Sequence, residues 1–325
     1  MTMMTAAVIH EAGGPEVLKL ERRPVPEPVA GQVLIRVKAC GLNRSELFTR
    51  QGHSPGVAFP RILGIEAVGL VEASPSGEFA PGDIVATAMG GMGRRFDGGY
   101  AEYTLVPAGQ VQRLKTDLPW EVLGAVPEML QTAWGSLFKS LRLQAGERLL
   151  IRGGTSSVGL AAAAIAKRHG ATVAATTRRA DRAELLRQNG ADQVFVDDGA
   201  IADQVRAAYG DGVDKVLELI GTVTLEDSLR AAAPHGIVCM TGIVGNKWAF
   251  DHFAPMDAIP TSVCLTSYAG ENADFMATPL QALIDEIAAG HLRVQVGMSF
   301  PLDRIVDAHR AMEENRAGGK IVLLP

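Results

Sequence analysis

Residues 147–182 read ERLLIRGGTSSVGLAAAAIAKRHGATVAATTRRADR, and their order decides the fold. A short apolar run at 149–151 meets a turn of Gly, Ser and Thr at 153–159. An alanine-rich segment with helical composition follows, and then a second apolar run at 172–176. Strand, small-residue turn, helix and strand within about thirty residues is the plan of a βαβ dinucleotide site. The turn is built of small residues because backbone N–H groups must approach a pyrophosphate, and the helix beyond it points its positive end at the same anion. Ser156 stands where the second glycine of G-x-G-x-x-G is expected.

The nucleotide is read at the end of the second strand, about 20 residues past the first glycine, where Asp or Glu selects NAD and arginine accommodates the 2′-phosphate of NADP. That place holds Thr176, Thr177, Arg178 and Arg179, with Arg182 close behind and no carboxylate before Asp181. Hydroxyls and guanidinium groups match a phosphate by charge and by bidentate geometry. NADPH is therefore the expected cofactor.

Outward from this stretch, strand and helix patterns alternate to about residue 267. Strands are expected at 149–151, 172–176, 193–196, 215–219, 237–241 and 263–266, and helices at 158–169, 180–188, 200–209 and 224–232. Strands joined by single helices imply an α/β fold with a doubly wound parallel sheet. Before it, short Val- and Ile-rich runs (33–39, 67–72, 84–88, 102–106) are punctuated by Gly and Pro, which predicts an irregular β unit. Residues 90–99 hold five glycines and two arginines and read as a loop. Residues 121–141 form a helical connector broken at Pro127, and helices at 280–289 and 305–314 precede a last strand at 320–324. That strand is too short for a domain of its own and belongs with the first β unit, which makes that unit discontinuous. The expected domains are 1–122 with 268–325, and 123–267.

Composition sets the outer limits. At 325 residues the chain can bury a large core and form two domains. With 31 Lys+Arg against 36 Asp+Glu there is no basic surplus for nucleic acid. No apolar run reaches the roughly 18–20 residues of a membrane span, and the N-terminus lacks a signal-peptide pattern, so a cytoplasmic protein is expected. Cys40, Cys239 and Cys264 are odd in number and far apart, and buried free thiols are the default reading.

Seven short motifs then point to one family: Ala39-Cys40-Gly41-Leu42-Asn43, Gly64-Ile65-Glu66-Ala67-Val68-Gly69, Pro81-Gly82-Asp83-Ile84-Val85, Gly98-Gly99-Tyr100-Ala101-Glu102-Tyr103, GGTSSVG, Gly190-Ala191-Asp192 and Gly319-Lys320-Ile321-Val322-Leu323. In this order, end to end, the chain resembles the zinc-independent medium-chain dehydrogenases/reductases, close to the NADPH:quinone oxidoreductase group. The resemblance implies a Rossmann domain with a discontinuous GroES-like β domain, and an active site in the cleft between them. Zinc alcohol dehydrogenases carry Cys and His where this chain has Asn43 and Ile65. Glu128 falls near a third ligand position, and one carboxylate cannot make a site that needs three protein ligands. No metal is expected.

Without zinc or a nucleophile, the chemistry reduces to hydride delivery from NADPH to a quinone or an α,β-unsaturated carbonyl. By resemblance, Asn43 orients the nicotinamide or the substrate, with a turn-forming Asn as the plainer reading. Gly154, Thr155, Ser156, Ser157 and Val158 hold the pyrophosphate, and Thr132 contacts nicotinamide or phosphate. Thr177, Arg178, Arg179 and Arg182 take the 2′-phosphate. Ile220 and Gly221 border the ribose, while Gly242, Ile243, Val244 and Ser267 line the nicotinamide side. Lys320 resembles a family lysine near the cofactor, or is a plain surface lysine. Many relatives carry Tyr at the positions of Phe48 and Asp197, so the remaining proton-donor candidates are Gln131, Thr132 and Tyr100; His53 reads as a solvated loop residue. The alternative is an NADP(H)-binding sensor or structural protein with little turnover, to which Phe48 gives standing. Family members are commonly homodimers that pair through the last Rossmann strand, here 263–266.

Overall fold

The computed structural model describes residues 2–325. In chain order the first elements are β1 (Met3–Ile9), β2 (Lys19–Pro24), β3 (Gln32–Leu42), α1 (Arg44–Arg50), β4 (Arg61–Ile62), β5 (Glu66–Ala73), β6 (Ile84–Ala88), β7 (Tyr103–Pro107) and β8 (Val111–Leu114). Next come α2 (Trp120–Gly124), α3 (Pro127–Trp134) and a π-helical turn, Gly135–Ser140. Pro127 opens α3 instead of breaking it, since a first-turn residue needs no intrahelical N–H bond.

The middle of the chain alternates β9 (Arg148–Arg152), α4 (Ser157–Arg168), β10 (Thr172–Thr177), α5 (Ala183–Gln188), β11 (Gln193–Val196), α6 (Ala202–Tyr209), β12 (Val213–Glu218), α7 (Thr222–Ala231), β13 (Ala232–Met240), α8 (Pro255–Ala258) and β14 (Cys264–Ser267). The last elements are α9 (Asn272–Ala277), α10 (Leu280–Ala288), β15 (Val296–Pro301), α11 (Ile305–Glu313) and β16 (Lys320–Leu324). Two compact units result: Met1–Gln131 with Gly270–Pro325, and Thr132–Ala269.

In the second unit the six strands lie in the order β11-β10-β9-β12-β13-β14, every neighbouring pair parallel. Leu149, Leu150 and Ile151 are fully buried, as expected of a parallel strand covered on both faces. The order reverses between β9 and β12, and in such sheets ligands bind outside the carboxyl ends of the strands at that switch point. The fold class is thus the α/β, doubly wound Rossmann sheet with a separate β unit that the sequence implies.

In the first unit, a seven-stranded sheet runs β15-β16-β3-β5-β6-β8, with β7 also on β3, and a smaller sheet runs β2-β1-β4. Strand β16 returns from the chain's end to pair antiparallel with β3, Ile321 opposite Leu42 and Leu323 opposite Cys40. Its apolar core includes Ile9, Ile35, Leu63, Tyr100 and Leu323. Strands β2 and β15 carry no clean apolar alternation. Both are edge strands, half-buried or exposed along their length, where charge and Pro guard against further pairing. One thiol departs from expectation: Cys40 and Cys239 are buried, but Cys264 on β14 is exposed, because β14 ends the sheet.

Candidate functional site

The carboxyl ends of β10, β9, β12, β13 and β14 are neighbours in one sheet, and they carry most of the expected cofactor residues. The turn after β9 is tied to β10 by two bonds: the Gly153 amide donates to Thr176 Oγ1 (3.0 Å) and the Gly154 amide to the Thr176 carbonyl (3.1 Å). Gly153 has φ +85, a left-handed conformation that favours glycine. At Gly159 a side chain is excluded, since a Cβ would lie 2.7 Å from the Gly153 carbonyl oxygen. The helix therefore starts directly against its own turn.

Ser156 is the N-cap of α4. Its hydroxyl accepts from the Gly159 amide (3.1 Å) and donates to the Gly153 carbonyl (2.8 Å). Its one proton is committed, so the hydroxyl holds the turn closed and does not donate to a phosphate in this arrangement. Thr155, Ser157 and Val158 are half-buried along the turn and first helical turn. The amides of Ser157 and Val158 are first-turn donors that an α-helix cannot satisfy internally. They are the groups that can meet a pyrophosphate.

At the end of β10, Thr177 Oγ1 donates to the Arg179 carbonyl (3.1 Å) and accepts from the Arg179 amide (3.2 Å), so it shapes the turn. Arg178 is exposed. Arg179, also exposed, forms a fork with Asp181 through Nε (3.0 Å) and Nη2. Arg182 is half-buried. An exposed pair like Arg179–Asp181 is weak and can yield to a phosphate. Gly221 has φ +104 and opens α7 beside Gly242, whose amide bonds the Glu218 carbonyl (3.2 Å). Gly242, Ile243 and Val244 are half-buried, Ser267 is exposed at the end of β14, and Thr132 is half-buried in α3.

Behind the turn lies a network that sequence reasoning missed. Arg152, the last residue of β9, is fully buried. Its guanidinium grips Asp197 bidentately (2.8 and 2.9 Å) and reaches Asp227 at 2.7 Å. Burial alone would push the Asp197 carboxyl up, but Arg152 more than offsets this and holds it below its ordinary value. Asp197 thus anchors an arginine, and the Tyr that the resemblance implies at this position is absent. Glu218 accepts from the Ile220 and Gly221 amides (2.6 and 2.9 Å) and from the Ser228 hydroxyl (2.5 Å). Burial still pushes its carboxyl up. The available signal was an arginine closing an otherwise apolar strand, with acids at the ends of β11 and β12.

In the first unit, Asn43 caps α1 in a capping box with Glu46, its amide N–H donating to Glu46 Oε2 at 3.1 Å. Its Nδ2 donates to Glu66 Oε1 (2.9 Å) and Glu46 Oε1 (3.3 Å), and Lys320 Nζ donates to its Oδ1. Both amide protons are taken, so the Asn43 side chain has no hydrogen left to donate. Glu46 also accepts from the Ile65 amide (3.1 Å), and burial raises its carboxyl to about 8.

Lys320 is not the surface lysine allowed above: only 2% of it is exposed, and its ammonium lies 2.8 Å from Glu66 Oε1 and 3.5 Å from Glu128 Oε2. Burial acts to depress Lys320, but those carboxylates prevail and keep it above its ordinary value. The ammonium is thus held within this buried cluster.

Other candidates lie elsewhere. Tyr100 is fully buried with its hydroxyl 3.3 Å from His309 Nε2, and burial pushes the phenol well up; it is no proton donor to a bound substrate. Phe48 packs in the core of this unit. Gln131 is buried, its Nε2 on the Glu271 carbonyl (3.2 Å), and His53 is exposed. Among the described residues, no group of three or more His, Cys, Asp or Glu could hold a metal ion, and no helix is long and apolar enough to cross a membrane.

Comparison with known proteins places these features. Residues 29–116 match the alcohol dehydrogenase GroES-like domain, and residues 189–323 match a family described as zinc-binding dehydrogenase. The chain is 33% identical to a quinone oxidoreductase of Lama guanicoe, over 99% of this chain and 98% of that protein. It is 30% identical to a 2-haloacrylate reductase of a Burkholderia species, over 99% of each. Among solved structures, a mycobacterial protein complexed with NADPH is 29% identical with a TM-score of 0.88, covering 99% of this chain and 100% of that one.

Proposed function

The chain belongs to the quinone oxidoreductase family of medium-chain dehydrogenases/reductases, and we propose that it transfers hydride from NADPH to a quinone or an α,β-unsaturated carbonyl. The observation that carries the cofactor choice is the end of β10. There Arg178 stands exposed, where an NAD enzyme would present an acid. The open first turn of α4 receives the pyrophosphate, with Gly154, Thr155, Ser157 and Val158 around it and Ser156 holding the turn in shape. Arg178, Arg179 and Arg182 take the 2′-phosphate, Arg179 by exchanging Asp181 for it. Thr132, Ile220, Gly221, Gly242, Ile243, Val244 and Ser267 complete the sites for ribose and nicotinamide.

NADPH supplies the hydride; the chain supplies position. Asn43 would orient the nicotinamide or the substrate. With both Asn43 protons committed and Tyr100 sealed in the core, Thr132 or solvent supplies the proton that follows hydride. Zinc takes no part: Asn43 and Ile65 stand at two ligand positions, and a third ligand alone makes no site. The acceptor is an activated double bond, in keeping with a relative named for reducing 2-haloacrylate. The protein acts in the cytoplasm as a homodimer joined at β14, whose outer edge carries the exposed Cys264.

Steady-state NADPH oxidation across quinones, enals and enones tests the reading. Turnover with at least one such class is expected, and none with any would contradict it. The buried Phe48 and Tyr100 favour one alternative, a nucleotide sensor with little chemistry, which would show NADPH affinity without turnover.

A further inference from the structure

We propose that Asp197 and Thr176 are positioning residues for the nucleotide. The Asp197 carboxylate, gripped by Arg152, orients the Thr176 hydroxyl, which in turn holds the Gly153 amide and sets the shape of the turn. Every group involved lies in the second unit. The part that concerns affinity rests on the reading of residues 153–159 as the pyrophosphate turn.

The Thr176 hydroxyl stands between that turn and the buried network. Its oxygen accepts from the Gly153 amide at 3.0 Å, and its proton goes to the Asp197 carboxylate. Thr176 is buried, so water has little access to either bond. Asp197 Oδ2 accepts from Arg152 Nε (2.8 Å), and Oδ1 accepts from Arg152 Nη2 and from the Gly199 amide (2.9 Å each). With Thr176 these make four donors on two oxygens. An ionised carboxylate offers about four acceptor positions, so its capacity is filled. An amide in its place offers one oxygen and two N–H groups, and cannot serve the guanidinium, Gly199 and Thr176 together. Against the upward push of burial, Arg152, Gly199 and Thr176 hold the carboxyl below its ordinary value, which keeps it in the accepting form.

The effect on the turn follows from the hydroxyl's single proton. A hydroxyl that gives its proton to Asp197 keeps its lone pairs for Gly153. One that rotates freely presents that proton to the amide for part of the time and loses the bond. Gly153 sits at φ +85, and its carbonyl accepts from the Ser156 hydroxyl at 2.8 Å. Its placement therefore sets that of residues 154–158. Two other ties remain when the Thr176 hydroxyl is lost: the Gly154 amide on the Thr176 carbonyl (3.1 Å) and the Ser156 cap. The turn is then loosened, not lost. Arg152 is locked on its far side by Asp227 (2.7 Å) and Ser228 (3.3 Å), so Asp197 cannot follow a moving turn.

The test uses the full-length protein, amide hydrogen exchange at Gly153 followed by NMR, and fluorescence titration with NADPH and NADH, which share the pyrophosphate. Thr176→Val keeps the side chain's shape without its hydroxyl. It is expected to speed Gly153 exchange and to weaken both nucleotides about tenfold, with the NADPH-to-NADH ratio unchanged. Thr176→Ser, which keeps the hydroxyl, is expected to restore most of both. Asp197→Asn is expected to reproduce the Thr176→Val losses, and the double variant to lose no more than Asp197→Asn alone, since coupled residues are not additive. Unchanged Gly153 exchange in Thr176→Val or Asp197→Asn, or full additivity, would overturn the relay. Faster exchange with unchanged nucleotide affinity, or an equal loss in Thr176→Ser, would overturn the positioning role.

If Asp197→Asn does not fold, Asp197→Leu with Arg152→Met removes both charges together and leaves Asp227 paired with Arg230 (3.0 Å). That variant must show the same faster exchange and the same loss of affinity. If the unaltered protein binds NADH but not NADPH, the 2′-phosphate reading has failed and the relay is read with NADH. If it binds neither, the pyrophosphate reading fails and takes the positioning role with it, while the exchange measurement still decides the relay.

Discussion

The end of β10 and the cluster around Lys320 both gather charge, and they do so in opposite ways. At β10, Arg178 and Arg179 stand in water, the second held only by a neighbouring Asp181. Around Lys320 the ammonium and Glu66 are buried and Glu128 half-buried, and each faces a partner from a remote segment. An exposed arginine keeps its guanidinium available and contributes little to folding. A buried ammonium is fixed in place by its surroundings and is expensive to unpair. The first region is built to bind something that arrives, the second to keep something in place. The Arg152 network beneath the glycine turn belongs with the second kind.

The contrast can be broken by substitution. Arg152→Met leaves Asp197 and Asp227 buried without their guanidinium, and we expect a loss of about 3–5 kcal/mol in chemical denaturation. A loss near zero would mean that the carboxylates are wet and the burial argument is wrong. Next comes Glu46, whose carboxyl burial lifts from 4.5 to about 8. The folded state keeps a proton that the unfolded state releases, so this group's stabilisation is full below pH 4.5 and is lost as pH rises toward 8. Glu46→Gln is expected to flatten the fall in stability across that window, as followed by melting temperature against pH. An unchanged slope would place the titration elsewhere.

Ser156→Ala removes a helix cap and should lower stability by about 1 kcal/mol, with NADPH affinity weakened because the turn loosens. Affinity unchanged despite the stability loss would show that the turn keeps its shape without the cap. At the exposed end of the scale, Asp181→Asn should leave the melting temperature as it was, and should tighten NADPH by freeing Arg179. Weaker NADPH binding instead would give Asp181 a place in the site.

The same contrast decides what could be read from sequence. The nucleotide turn was legible because strand, glycines, helix and arginines follow one another within residues 147–182, and neighbouring residues dictate that local geometry. Strands β2 and β15 were missed because edge strands need no apolar alternation; Lys19–Pro24 is mostly polar. The identities of Asn43, Glu66 and Lys320 were visible, but not their meeting, since only the β3–β16 register brings residue 320 to residue 43. Tyr100 was one of three proton-donor candidates and is buried against His309. Arg152 was passed over because a single charge at a strand's end is usually solvated, and its partners lie at residues 197 and 227.

The most direct test of the cofactor reading is the ratio of kcat/KM for NADPH over NADH in Arg178→Ala/Arg179→Ala. Losing two charge-assisted contacts to the 2′-phosphate should reduce that ratio by about 100-fold, while NADH kinetics stay within a few-fold of the unaltered protein. An equal loss for both cofactors, or no loss for either, would contradict the assignment of these arginines to the phosphate.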